Sequence, residues 1–195
     1  MSVNIGIDEA GREPWTGSVF AAAVVLNPNC PITGLNDSKK LSAKKREALA
    51  LVITRDALAY GIGSASAMEV DEVNILQATF LAMRRALACL PLQYRNQSCH
   101  AWVDGNRDPN LGIPTTTLIQ GDASMSSISA ASILAKIARD SESAYLHSQY
   151  PEYGFNQHKG YGTPLHRKQL QLLGPTPYHR KSFSPVAQWY LNNQK

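Results

Sequence analysis

Cysteine is scarce in this chain: Cys30, Cys89 and Cys99 make an odd number with no C-x-x-C spacing. That pattern excludes a disulfide scaffold, offers no thiolate zinc site, and suits a reducing cytoplasm. Long apolar runs are missing as well. The longest, residues 19–26, has the length of a buried strand and falls far short of the ~20 residues a membrane span needs. The opening MSVNIG has no basic segment leading into an apolar one, so no secretory signal is expected. Repeats, linkers and low-complexity tracts are also lacking. What remains is a 195-residue chain with 44% hydrophobic and 17% charged residues, the profile of one globular domain rather than a disordered segment.

Charge is unevenly placed within the net +4. Residues 1–130 hold 11 Lys and Arg against 12 Asp and Glu, whereas residues 131–195 hold 8 against 3 and four of the five histidines. A basic C-terminal third suits a polyanion such as nucleic acid, although an ordinary solvated surface has the same composition.

Periodicity predicts strands over 3–7, 18–26, 57–65, 100–103 and 115–119. It predicts helices from Ser42 as N-cap to about 55, over 72–89 and over 126–147, then from Thr163-Pro164 to 173 and from Ser184-Pro185 onward. Early strands followed by strands interleaved with helices give an α/β layer fold with a mixed sheet.

Four acids stand out by position. Asp8 and Glu9 follow the first predicted strand, Asp104 ends the fourth, and Asp122 lies just past the fifth. If those strands are neighbours, the acids converge at one end of the sheet, where open α/β sheets bind ligands. Two carboxylates ~4 Å apart repel by roughly 4 kcal/mol at an effective dielectric of ~20, so one must keep a proton or a cation must sit between them. An all-oxygen site suits Mg²⁺ or Mn²⁺. Acids in such loops are also ordinary turn residues, and spacing alone does not choose.

Several segments together carry a family resemblance. They are Gly6-Ile7-Asp8-Glu9-Ala10-Gly11-Arg12, Asp37-Ser38-Lys39-Lys40-Leu41-Ser42, Asn74-Ile75-Leu76-Gln77-Ala78-Thr79, Val103-Asp104-Gly105 and Gly121-Asp122. Further along come Ser129-Ala130-Ala131-Ser132-Ile133-Leu134-Ala135-Lys136, His158-Lys159-Gly160-Tyr161-Gly162-Thr163 and His179-Arg180-Lys181-Ser182-Phe183. In this order, over nearly the whole chain, they resemble bacterial ribonuclease HII.

The resemblance implies a ribonuclease H-like fold: a mixed five-stranded sheet flanked by helices, in one catalytic domain over 1–195 with a helical C-terminal extension from about 160. It also implies metal-dependent hydrolysis of the RNA strand of RNA/DNA hybrids and incision 5′ to single ribonucleotides in duplex DNA, leaving 3′-hydroxyl and 5′-phosphate ends. Asp8, Glu9, Asp104 and Asp122 match the family's metal-binding acids. One ion bridged by Asp8 and Asp104 would activate water, and a second held by Glu9 or Asp122 would stabilise the leaving oxyanion. Gly11, Arg12 and residue 13 match the turn that meets the 2′-hydroxyl, and Tyr161 matches the tyrosine beside the ribose. Ser38, Lys39 and Lys40 are expected at phosphates, with Lys136 and Arg180 as further candidates. An extra N-terminal domain, as in ribonuclease HIII, is not expected ahead of so early a strand. A monomer is expected. Clamp-binding tails occur in some members, but Gln188-Trp189-Tyr190-Leu191 is a loose aromatic cluster expected to pack on the core.

One departure stands out. Glu13 occupies a position that is glycine in the family pattern. A turn requiring positive φ would be strained there by roughly 1–2 kcal/mol. The side chain would also intrude on the substrate, and its charge would repel phosphate or compete for metal. Reduced activity or altered junction preference is the expectation, the alternatives being a harmless outward-pointing side chain or a catalytically weak hybrid-binding variant.

Overall fold

The computed structural model describes residues 3–193. Five strands, β1 (Val3–Ala10), β2 (Val19–Val25), β3 (Ala59–Ala65), β4 (Cys99–Asp104) and β5 (Thr115–Leu118), form one sheet in the order β3-β2-β1-β4-β5. β1, β2 and β3 are antiparallel neighbours, while β4 and β5 run parallel to β1. The expected mixed five-stranded sheet is therefore present, with β1 central. β1 is longer than its periodicity indicates. Its ladder with β2 continues through Asp8, Glu9 and Ala10, so the two acids sit on the strand rather than after it.

Helices cover both faces: α1 (Ala43–Asp56), α2 (Ala67–Ala88), the one-turn α3 (Gly121–Ser124), α4 (Ser126–Gln149), the one-turn α5 (Phe155–His158), α6 (Pro164–Leu173) and α7 (Ser184–Asn193). On one face, Ile5, Ile7, Val19, Ala101 and Val103 pack with Val70, Ala82, Met83 and Ala86 of α2. On the other, Ala22 and Val24 meet Ile53 of α1 and Ala130, Ile133 and Leu134 of α4. α4 lies directly on β1 at Gly6, where a Cβ would fall 2.0 Å from the Ser127 backbone. That close approach seats the helix over the acids.

The second long helix differs from expectation at its start. It begins five residues earlier, at Ala67, because Ser66 and Glu69 form a reciprocal capping box. It then breaks at Asn74 (φ 68°), whose Oδ1 accepts hydrogen bonds from the Leu76 and Gln77 amides and restarts the helix. The break brings Ile75 to the cleft described below.

Of the predicted extension, residues 194 and 195 lie outside the described residues. The remainder packs through Leu170, Val186, Phe183, Trp189 and Tyr190 around Trp15, leaving Leu191 exposed. No helix among the described residues is long and apolar enough to cross a membrane.

Candidate active site

β4 lies beside β1, and β5 beside β4, so the conditional convergence of the four acids is met. Asp8, Glu9, Asp104 and Asp122 line one cleft of about 570 Å³ together with Arg12, Glu13, Ser38, Lys39, Lys136 and Tyr161.

Each acid is set by its backbone. Asp8 is buried at the end of the central strand, and its Oδ1 accepts the Glu9 amide at 2.7 Å. Asp104 ends β4, and its Oδ1 accepts the Gly121 amide at 2.7 Å, tying the strand to α3, which carries Asp122. Glu9 pairs with Arg12 at 3.2 Å.

The electrostatics follow from this crowding. Burial, then the neighbouring charges of Glu9 and Asp104, hold the Asp8 carboxyl well above the usual carboxylate range. Burial also raises Glu9, with Arg12 pulling the other way. Asp122 is raised by burial and by repulsion from Asp37 and Asp104. Asp37 is a neighbour that sequence reading did not place in the site.

Among the described residues, no three His, Cys, Asp or Glu side chains are arranged to hold a metal ion as they stand. The carboxylates ring the cleft and repel one another without closing on a point. Their donor chemistry is all oxygen, which fits a hard divalent cation, and such a cation is the counter-charge that would let Asp8 ionise.

The remaining predicted residues separate into three groups. Lys39 and Lys136 line the cleft, the latter paired to Asp140 at 2.6 Å, and Tyr161 stands half-exposed at its wall. Ser38 is buried and accepts a hydrogen bond from Ser132 Oγ at 2.8 Å, with only its edge in the cleft. Lys40 is exposed at the end of a 3-10 turn and is not among the cleft-lining residues.

Arg180 is not a surface phosphate contact: it is fully buried. Its guanidinium donates to the backbone carbonyls of Gly11, Arg12, Pro14 and Gly17, holding the turn between β1 and β2 from within. Arg139 assists from α4 by donating to the carbonyls of Thr16 and Lys159. A single arginine in sequence carries no signal that separates a buried strut from a phosphate contact.

The strain expected at residue 13 does not arise. The left-handed conformation falls at Gly11 (φ 91°), where a Cβ would also meet the Arg139 side chain at 2.7 Å. Glu13 precedes Pro14, which biases it to extended backbone, and it is absent from the positive-φ residues. It is exposed on the cleft wall and, among the described residues, paired with no basic side chain.

The sequence profile of ribonuclease HII matches residues 5–186. The chain belongs to the ribonuclease HII family. The ribonuclease HII of Dechloromonas aromatica is 54% identical over 93% of this chain and 91% of its own length. The structure of ribonuclease H2 from Pyrococcus horikoshii superposes with a TM-score of 0.80 at 25% identity, covering 98% of this chain and 99% of that one. The ribonuclease HII in the PCNA complex from Archaeoglobus fulgidus shares the fold, with a TM-score of 0.74 at 24% identity over 93% of this chain and 95% of that one. As a ribonuclease HII this chain is a phosphodiester-hydrolysing endonuclease of a divalent-metal-dependent family, and the fold expected from the resemblance is the fold observed.

Proposed function

We propose that this ribonuclease HII cleaves the RNA strand of RNA/DNA hybrids and nicks duplex DNA on the 5′ side of a single embedded ribonucleotide, leaving 3′-hydroxyl and 5′-phosphate ends. The observation that carries this reading is one cleft holding both the four carboxylates and the Gly11–Glu13 turn with Tyr161. The first set can cut a phosphodiester and the second can test for a ribose.

Asp8, Glu9, Asp104 and Asp122 would hold Mg²⁺ or Mn²⁺, two ions during catalysis. These ions supply charge stabilisation for an attacking water and a departing 3′-oxygen. The residues do the rest. Burial of Asp8 and the Gly121 amide on Asp104 fix where negative charge is presented. Because water attacks, the 2′-hydroxyl is free to be recognised as donor and acceptor rather than consumed. Gly11, locked by Arg180 on its carbonyl, presents backbone at that hydroxyl, and Tyr161 packs on the sugar. Lys39 and Ser38 face the strand phosphates, and Lys40 contributes positive charge at a distance. The chain acts as one catalytic unit and monomer in the cytoplasm. Its three free cysteines are compatible with that setting. Trp189 and Tyr190 pack against the Trp15 cluster, and docking to a sliding clamp through this C-terminal segment, as a relative is seen with PCNA, is a secondary reading.

A second reading, a hybrid binder of weak activity, is favoured by the unpaired carboxylate of Glu13 on the cleft wall. Nicking of a one-ribonucleotide duplex by this chain beside E13G and D104N tests both. A 5′-side nick lost only in D104N supports the enzyme with a tolerated turn. A nick recovered only in E13G supports the weak variant, and no nick from any of the three overturns the functional reading.

A further inference from the structure

Beneath Tyr161 lies a cluster of three histidines that the chemistry above does not use. His158, His166 and His179 are buried, His158 stacks on His166 at 4.4 Å between centroids, and Trp15, Tyr153 and Phe155 pack around them.

Their hydrogen bonds fix every ring proton. The Thr176 amide donates to His179 Nδ1 at 2.9 Å, so the proton of His179 is on Nε2. That Nε2 faces His166 Nε2 at 3.1 Å, which must therefore accept and leave the His166 proton on Nδ1. His166 Nδ1–H then donates to the Tyr161 carbonyl at 3.0 Å. Beside this relay the Gly160 amide donates to His158 Nδ1 at 3.2 Å, and His158 Nε2–H donates to the Tyr153 carbonyl at 2.7 Å. All six ring nitrogens are satisfied with the three rings neutral. A proton added to His179 Nδ1 or His166 Nε2 would face another N–H.

No carboxylate is among these hydrogen-bond partners. The charged groups around the cluster are Arg167 over the Trp15 ring, Arg139 on the Lys159 carbonyl and Arg180 next to His179, with Glu142 paired to Arg139 at 3.3 Å and Asp71 accepting the Lys181 amide, so each carboxylate is engaged away from the imidazoles. Burial and the neighbouring rings keep His166 and His179 neutral, near 4 and 3.

We propose that His166 and His179 are positioning residues: a neutral imidazole relay, anchored at the Thr176 amide, that sets the backbone at Tyr161 and hence the face it offers to the ribose. The proposal rests on the reading of Tyr161 as the ribose-facing side chain. The relay is also joined to the other half of the recognition site. The Trp15 amide donates to the Gly160 carbonyl at 2.9 Å, and the Arg180 amide donates to the Trp15 carbonyl at 2.8 Å.

Imidazole ¹⁵N NMR on the intact protein tests the relay without reference to activity. The expected spectrum has Nδ1–H on His166 and Nε2–H on His158 and His179, with neither His166 nor His179 titrating between pH 5 and 8. The opposite tautomer on His166 or His179, or titration of either in that range, overturns the proposal. Cleavage of a one-ribonucleotide duplex by H166F should fall about tenfold in kcat/KM, carried by KM, with the Mg²⁺ dependence unchanged. H166N, which keeps a donor for the Tyr161 carbonyl, should recover most of it. Unchanged kinetics in H166F, or equal loss in H166N, overturns the positioning role. A Y161A variant with parental KM overturns it through its premise, and the NMR result separates that failure from a failure of the relay.

Discussion

The acid cleft and the histidine cluster pose the same problem and solve it oppositely. Each gathers like titratable groups in or beside a buried environment. The histidines shed their charge and become a closed set of hydrogen bonds. The acids keep their oxygen faces toward the cleft, where burial and mutual repulsion push Asp8, Glu9 and Asp122 upward. The first arrangement is complete by itself and serves shape. The second is incomplete by itself and serves an added cation. Charge that is tolerated without a partner marks the working end of the molecule, and charge that is removed marks its frame.

The sharpest way to break this contrast is D8N. Nicking should fall on the order of a thousandfold, because a charge-stabilising group is lost. Stability to urea should meanwhile rise by about 1–3 kcal/mol, because a buried, repelled carboxylate is gone. Loss of both activity and stability would mean that Asp8 is structurally compensated and the contrast false.

Acidification separates the two clusters by the sign of their response. His166 and His179 titrate near 4 and 3 in the fold, below the roughly 6.5 of an unfolded chain, so the unfolded state binds more protons between those values. Their contribution is fully present above about pH 6.5 and declines as pH falls toward 4, by roughly 3 kcal/mol per ring. Asp8 runs the other way. Its raised folded value means that stability improves as pH drops through that value, and D8N removes this gain. Urea midpoints against pH for both proteins show whether the two slopes oppose.

Mg²⁺ should act on one cluster alone. At a hundredfold excess over its dissociation constant it should stabilise the protein by about 2.7 kcal/mol. That shift should vanish in D104N and persist in H166N, as read by thermal unfolding. Smallest of all is E13G, expected to change stability by less than about 0.5 kcal/mol since the position is exposed and unstrained, while raising nicking severalfold.

Much of this is legible in the amino-acid sequence alone. The family motifs and the acids at the ends of the first, fourth and fifth strands located the cleft, because strand order in a parallel half-sheet brings C-terminal ends together. Ser66-x-x-Glu69 is a readable helix start that the expected helix over 72–89 left out. Other features had no local signature. The burial of Arg180 depends on carbonyls more than 160 residues away in sequence. The histidine relay joins residues 161, 166, 176 and 179 only once the C-terminal segment folds over Trp15. At residue 13 the family pattern misled, since it was the preceding Gly11, not position 13, that bore the left-handed turn.

That division within the turn bears on how such an enzyme can drift. Gly11 is hemmed in by Arg139, and the carbonyls on either side of residue 13 are gripped by one buried guanidinium. A side chain at position 11, or loss of the guanidinium, should disorder the loop. Arg12 and Glu13 project outward from the same frame, so substitutions there alter what the cleft meets while leaving the fold intact. Substrate preference can therefore be retuned through these two outward side chains while the nuclease scaffold beneath them stays as it is.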